Sequence, residues 1–148
     1  AVQCLLEGCA KIYIGNRSLE RLEELMSIVK VMPHGECVEA FDLAAPPINL
    51  AGNGVLINAT SLGLNVEDQA PYDLSKIPQN WVVYDMIYNP DTTRLLREAR
   101  LKGLKASNGL SMLVHQGARS LEIWSHARVD AKVMMRAACH TLDLPPRL

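Results

Sequence analysis

No excess of either charge marks the sequence: 15 Lys and Arg against 16 Asp and Glu leave a formal net charge of -1 over 148 residues. That balance argues against a dedicated nucleic-acid binder, whose affinity rests largely on a basic surface. No stretch approaches the roughly 18 apolar residues of a membrane span, and no secretory signal is legible. The four cysteines, Cys4, Cys9, Cys37 and Cys139, include no CxxC pair. This argues against disulfides and a zinc site, and predicts buried free thiols in a reducing, cytoplasmic compartment. His34, His126 and His140 show no metal-ligand spacing, and there is neither an internal repeat nor a low-complexity tract. What is present is the composition of an ordinary soluble protein, 49% apolar and 21% charged. At about 100–200 residues per domain, it predicts one compact domain.

Ala1–Ala10 reads as the tail of a helix closed by Gly8, since glycine accepts the left-handed conformation without Cβ strain. No residue precedes it to supply an N-cap. Lys11–Ile14 is a short run of strand formers. Ser18 then caps a helix that turns Leu19, Leu22, Leu25, Met26 and Val29 to one face and Glu20, Arg21, Glu24 and Lys30 to the other. Further strands are expected at 37–41, 55–59, 81–86 and 104–107, with a brief helical turn at 73–77. A helix starting at Asp91 or Thr92 carries Leu95, Leu96 and Ala99 and stops at Gly103. Leu110, Leu113, Val114, Gly117, Ala118, Leu121 and Trp124 recur along one face of a longer helix. A last helix runs from about Val129 to Leu142. Strands alternate with helices, and several strands are continuously apolar. This predicts an α/β fold, a parallel sheet with helices on both faces. Ligands in such folds sit beyond the carboxyl ends of the strands.

Polar clusters lie at those ends. Asn16, Arg17 and Ser18 follow the first strand, and Arg21 stands one turn into the next helix. In a dinucleotide-binding unit this strand end meets the adenosine ribose; an acid there binds a free 2′-hydroxyl, whereas a 2′-phosphate requires the acid absent and cations present. Here Asn16 replaces the acid. Arg17 and Arg21 can both reach one dianion, with the donor fork that suits phosphate and helix N-terminal amides beside it. The competing reading is structural: Arg21 pairs with Glu20 or Glu24, and Ser18 only caps. Ala59, Thr60 and Ser61, after another strand, permit close approach of a planar ligand or make a local Ser/Thr turn network. Asp85 can hold an active-site loop or cap a helix. Tyr88 can offer a hydroxyl to substrate or simply pack. Gln116 suits a polyol because it donates and accepts at once, and His115 beside it has no carboxylate partner that the sequence specifies.

Four segments, Asn16–Arg21, Asn58–Gly63, Tyr84–Pro90 and Asn108–Gly117, together resemble the shikimate dehydrogenase family, in the family's order and across almost the whole chain. The resemblance implies a Rossmann-like NADP-binding domain from an enzyme that reversibly reduces 3-dehydroshikimate to shikimate with NADPH in aromatic amino-acid biosynthesis. Residues 1–148 then correspond to the cofactor domain, with the helices at about 110–142 returning toward a substrate domain. Position by position, Asn16, Arg17, Ser18 and Arg21 resemble the adenosine 2′-phosphate site. Ala59, Thr60 and Ser61 resemble the lining of the cofactor path, and Met86, Gly109 and Met112 the surroundings of the nicotinamide. Tyr88 and Gln116 match residues that contact shikimate.

The family's glycine-rich turn and first strand precede the helix at which this chain opens, so the fold is expected to be truncated at its N-terminus. The family's lysine–aspartate pair for proton transfer belongs to the preceding substrate domain, so no residue here is assigned a catalytic role and this stretch alone is expected to be inactive. No metal site is expected, and neither a membrane nor a nucleic-acid partner; exposed sheet edges suggest a homodimer or another pairing chain. Two alternatives share the scaffold: an NAD-dependent quinate/shikimate dehydrogenase, and a noncatalytic ligand-sensing domain.

Overall fold

A computed structural model describes residues 1–43, 45, 46 and 50–145. The chain divides into two compact units, Ala1–Leu50 and Ala51–Leu148. Every strand pair among the described residues is parallel, as the apolar strands predict.

In the first unit, β1 (Ile12–Gly15) pairs with β2 (Val38–Phe41), setting Ile12 opposite Val38 and Gly15 opposite Phe41. The short α1 (Val2–Leu6) precedes them, and α2 (Leu19–Lys30) connects them. The helical period turns Leu22, Met26 and Val29 inward, where they form a buried core with Leu5 and Val38. Leu19, expected on the same face, is 61% exposed, because it sits at the rim of an open groove of about 680 Å³ along α2 and β2. Gly8 closes α1 as the sequence predicts, with φ +72°. Its N–H donates to Leu5 O at 3.0 Å, and the next N–H, of Cys9, reaches back to Cys4 O at 3.1 Å. This is the Schellman arrangement that satisfies the last helical carbonyls.

In the second unit the strand order is β3 (Val55–Asn58), β4 (Val82–Asp85), β5 (Lys105–Ser107). The register sets Asn58 opposite Asp85 and Tyr84 opposite Ser107. The helix α3 (Arg94–Leu101) packs on β4 and β5 through the buried Leu95, Leu96 and Ala99. It begins later than the sequence suggests. Asp91 is engaged by Asn108 Nδ2 at 2.7 Å and the Thr92 hydroxyl by Arg100 at 3.0 Å, so Thr93 takes the cap and accepts from Leu96 N at 3.3 Å. Asp73 caps the expected turn, a short 3₁₀ helix at Leu74–Lys76.

The long α4 (Leu110–Ser125) packs against α5 (Ala131–Thr141). Leu110, Val114 and Ala118 are buried. Farther along the same predicted stripe, Leu121 and Trp124 are exposed, Trp124 at 76%. A 16-residue helix is roughly 24 Å long, against roughly 13 Å for a four-residue strand, so strands this short cannot cover its second half. The thiols differ from expectation too. All four are free, but only Cys139 is buried; Cys4 and Cys37 are half-buried and Cys9 is exposed, because Cys9 lies beyond the end of α1 and not on its inward face. No helix among the described residues is long and apolar enough to cross a membrane.

Leu96 is fully buried, whereas Leu101 of the same helix is 84% exposed. Leu96→Ala should therefore destabilise the second unit by about 2–5 kcal/mol, and Leu101→Ala by less than about 0.5 kcal/mol, as read from urea unfolding.

Candidate functional site

A buried carboxylate organises the carboxyl ends of β3 and β4. Asp85 is fully buried and accepts three hydrogen bonds: from Asn58 Nδ2 at 3.0 Å, from its own loop's Ile87 N–H at 3.1 Å, and from the Thr93 hydroxyl at 2.6 Å. Asn58 Nδ2 also donates to Leu62 O at 3.0 Å, while Asn58 Oδ1 accepts from the Thr60 N–H at 3.0 Å and the Thr60 hydroxyl at 2.8 Å. The local turn network read as an alternative for this cluster is thus formed. Asp85 does hold the loop after β4, as its position at the strand end suggests. Thr93 and Asn58 are the partners that sequence reasoning missed. Their signal was only that they are polar residues beside apolar runs.

The loop beyond this turn is fastened by Asp68, whose carboxylate accepts from Gly63 N at 2.9 Å and Asn65 N at 3.0 Å. The Asn65 backbone donor first, and that of Gly63 next, hold its pKa below the ordinary carboxylate value.

These bonds border a pocket of about 360 Å³ lined by Ala59, Thr60, Leu64, Met86, Ile87, Tyr88 and Asn89. Of the residues expected to serve cofactor or substrate, Ala59, Thr60, Met86 and Tyr88 therefore come together. Gly109 joins them through the backbone: its N–H donates to Ile87 O at 3.2 Å, and a Cβ at this position would lie 2.0 Å from Met86 O. Only glycine allows the start of α4 to approach the end of β4 this closely. Ser61, Met112 and Gln116 are exposed and do not line the pocket. His115 is also exposed.

The first unit carries the other predicted cluster. Asn16 Oδ1 accepts from Ser18 N at 3.1 Å, shaping the turn after β1, and Ser18 Oγ accepts from Arg21 N at 3.4 Å, capping α2. Arg17 and Arg21 are both exposed. Among the described residues the ion pairs are Lys11–Glu39, His34–Glu36, Arg94–Glu98 and Arg119–Glu122, so the alternative pairing of Arg21 with Glu20 or Glu24 does not form. The groove along α2 and β2 is lined by none of Asn16, Arg17, Ser18 or Arg21.

Comparison with known proteins adds an independent observation. Residues 109–139 match the family model described as the shikimate 5'-dehydrogenase C-terminal domain. The shikimate dehydrogenase (NADP(+)) of Rhodopseudomonas palustris (strain HaA2) is 40% identical over 134 residues, covering 90% of this chain and 46% of the relative. The chain belongs to the shikimate dehydrogenase family. A solved shikimate dehydrogenase in complex with NADP+ superposes with a TM-score of 0.78 at 31% identity, over 89% of this chain and 47% of that one. The 5-ketofructose reductase of Gluconobacter sp. strain CHM43 does so with 0.76 at 31% identity, over 96% and 50%. The fold is thus α/β and Rossmann-like, and the chain spans about half the length of the proteins it matches. Within the shikimate dehydrogenase match, residues 109–139 take in Gly109, Met112, Gln116, all of α4 and most of α5.

Thr93 both caps α3 and donates to Asp85, so Thr93→Val should cost about 2–4 kcal/mol in urea unfolding, the sum of a lost cap and a lost bond to a buried charge. Thr93→Ser keeps the hydroxyl and should recover most of that loss.

Asp68 gives a pH signature. A carboxylate whose folded pKa is lowered stabilises the fold above its unfolded pKa, about 3.9, and loses that contribution as pH falls through the folded value. Amide-exchange protection at Gly63 and Asn65 should therefore fade on acidification below about pH 4, and Asp68→Asn should remove this acid dependence.

Proposed function

We propose that the chain is the NADP(H)-binding part of a shikimate dehydrogenase, acting in the reversible reduction of 3-dehydroshikimate to shikimate in aromatic amino-acid biosynthesis. The observation that carries this reading is the start of α2. Arg17 and Arg21 carry no ion-pair partner among the described residues, and Asn16 stands where a carboxylate would read a free 2′-hydroxyl. The two guanidinium groups bind the 2′-phosphate, Ser18 caps and orders the start of α2 beside it, and the positive end of the helix dipole adds attraction for the anion.

In the second unit, Ala59, Thr60 and Ser61 line the cofactor path. Met86 and Met112 supply apolar surface beside the nicotinamide, and Gly109 keeps the start of α4 close to Met86. The bound cofactor supplies the hydride. Tyr88 and Gln116 contact the substrate's hydroxyl groups. No residue here is assigned the proton donor for the carbonyl oxygen, and His115 is not given that task. The free thiols support a reducing, cytoplasmic setting. Val55 and Ile57, exposed on β3, support pairing through a sheet edge.

A second substrate reading rests on the 5-ketofructose reductase, which is as similar as the NADP+-bound shikimate dehydrogenase at 31% identity: the carbonyl reduced belongs to another polyhydroxylated ketone. Turnover of 3-dehydroshikimate against 5-ketofructose by the full-length protein decides between them.

The cofactor reading is tested by fluorescence titration of this chain with NADPH and NADH. Arg17→Ala and Arg21→Ala should each weaken NADPH binding by roughly 10- to 100-fold, the value of a charge-assisted hydrogen bond of about 1.5–3 kcal/mol, and leave NADH nearly unchanged. Equal losses for both nucleotides would show that neither arginine reads the phosphate.

A further inference from the structure

Three of the four cysteines, Cys4, Cys9 and Cys37, meet in the first unit. Cys4 and Cys9 occupy the two positions that the Schellman motif at the end of α1 joins, through the Cys9 N–H···O=C Cys4 bond of 3.1 Å. Side chains at these two positions characteristically touch. The two thiols are also close enough to interact by a side-chain hydrogen bond, the proximity that closing a disulfide requires. The third thiol arrives from the strand side: Cys37 Sγ donates to Cys9 O at 3.4 Å. The thiols sense one another. Loss of hydration first, then the charge and hydrogen bonding of Cys4, then the charge of Cys37, push the Cys9 thiol above its ordinary pKa. No group of three or more His, Cys, Asp or Glu among the described residues is arranged to hold a metal ion, so the cluster's chemistry is that of thiols. Cys9 is exposed and Cys4 half-buried behind it, whereas Cys139 is buried in the other unit.

We propose that Cys4 and Cys9 form a dithiol that low-molecular-weight disulfides, such as oxidised glutathione, convert reversibly to an intramolecular disulfide. Cys9 reacts first because it is the exposed thiol of the pair; its raised pKa slows this step but leaves access to decide the order. Its thiolate attacks one sulfur of the small disulfide; a mixed disulfide forms, the small S–S bond breaks, and one small thiol leaves after taking up a proton. Cys4, deprotonated in turn, attacks the Cys9 sulfur of the mixed disulfide. The protein S–S bond forms and the second small thiol leaves. Two electrons pass from the cysteine pair to the small disulfide, which is reduced to two thiols. Excess small thiol runs both exchanges backwards. Because the Schellman turn already brings the two sulfurs together, ring closure outruns accumulation of the mixed disulfide.

The test uses the chain folded, and again in urea, equilibrated with oxidised and reduced glutathione, quenched by alkylation and cut with trypsin. Cys4 and Cys9 lie together in the peptide Ala1–Lys11, and Cys37 falls in another. In the folded chain this peptide should be found unalkylated and lighter by two hydrogens, and it should return to the dithiol when reduced glutathione is raised. In urea, and in the folded Cys4→Ser chain, Cys9 should instead carry several-fold more glutathione. A lasting glutathione adduct on Cys9 of the folded native chain, a Cys9–Cys37 link, or equal yields of the internal disulfide folded and in urea would each overturn the proposal.

Discussion

A carboxylate taken wholly out of water at the end of β4 is the constraint on which the second unit depends. Burying Asp85 is tolerable only because donors surround it: the Asn58 amide from β3, the Ile87 N–H from the loop after β4, and the Thr93 hydroxyl from the start of α3. Each donor belongs to a different segment, so a single charge fixes the spacing of a neighbouring strand, a loop and a helix. The asymmetry of hydrogen-bond energetics gives this weight. Forming such a bond gains about 1.5–3 kcal/mol when one partner is charged, and stranding the buried charge loses more than that. Asn58 passes the constraint on by holding both Thr60 and the Leu62 carbonyl. The two walls of the pocket, one from Ala59 and Thr60 and one from Met86 and Tyr88, are thereby set by adjoining bonds. The close approach of Gly109 to Met86 O then fixes where α4 begins.

The start of α2 in the first unit works the opposite way. Its short-range bonds, Ser18 N to Asn16 and Arg21 N to Ser18, order the backbone and leave both guanidinium groups exposed. An arginine so placed keeps its side-chain entropy, worth about 2 kcal/mol, until an anion arrives to order it. Discrimination between two nucleotides that differ by one phosphate is a difference of binding free energies. Under the proposed function it would come from two guanidinium groups that have no ion-pair partner among the described residues.

How much of this was legible in the sequence divides along the same physical line. Apolar runs and apolar periodicity, with stop signals such as Gly8, located the five strands and five α-helices found among the described residues, because burial leaves a pattern that can be read. It overreached at Leu19, Leu121 and Trp124, where the pattern continues but no neighbouring element covers it. Local capping was legible at Gly8 and Ser18, whose partners lie within a few residues. The start of α3 was misjudged because Asp91 and Thr92 are claimed by Asn108 and Arg100, distant in sequence, and a residue's rival partners are not written beside it. The same blindness hid Thr93 as the partner of Asp85. The family resemblance put Met86, Gly109 and Met112 near the nicotinamide and Tyr88 with Gln116 at the substrate; in this chain Met86 and Tyr88 line one pocket, with Gly109 packed against Met86. It could not say that Met112 and Gln116 would stand outside that pocket's lining.

The polar side chains of the second unit are spent on one another. Asn58, Asp85, Thr93 and Asn108 are buried, and no buried side-chain nitrogen or oxygen among the described residues lacks a hydrogen-bond partner. What remains to face a ligand is largely apolar: Ala59, Leu64, Met86, and the ring of Tyr88. A lining of this kind offers a ligand apolar contact more than hydrogen bonds. The start of α2 presents the opposite kind of surface, the exposed guanidinium groups of Arg17 and Arg21, which have no ion-pair partner among the described residues. Under the proposed function these two surfaces work by different forces, charge recognition at Arg17 and Arg21 and apolar contact at Ala59 and Met86.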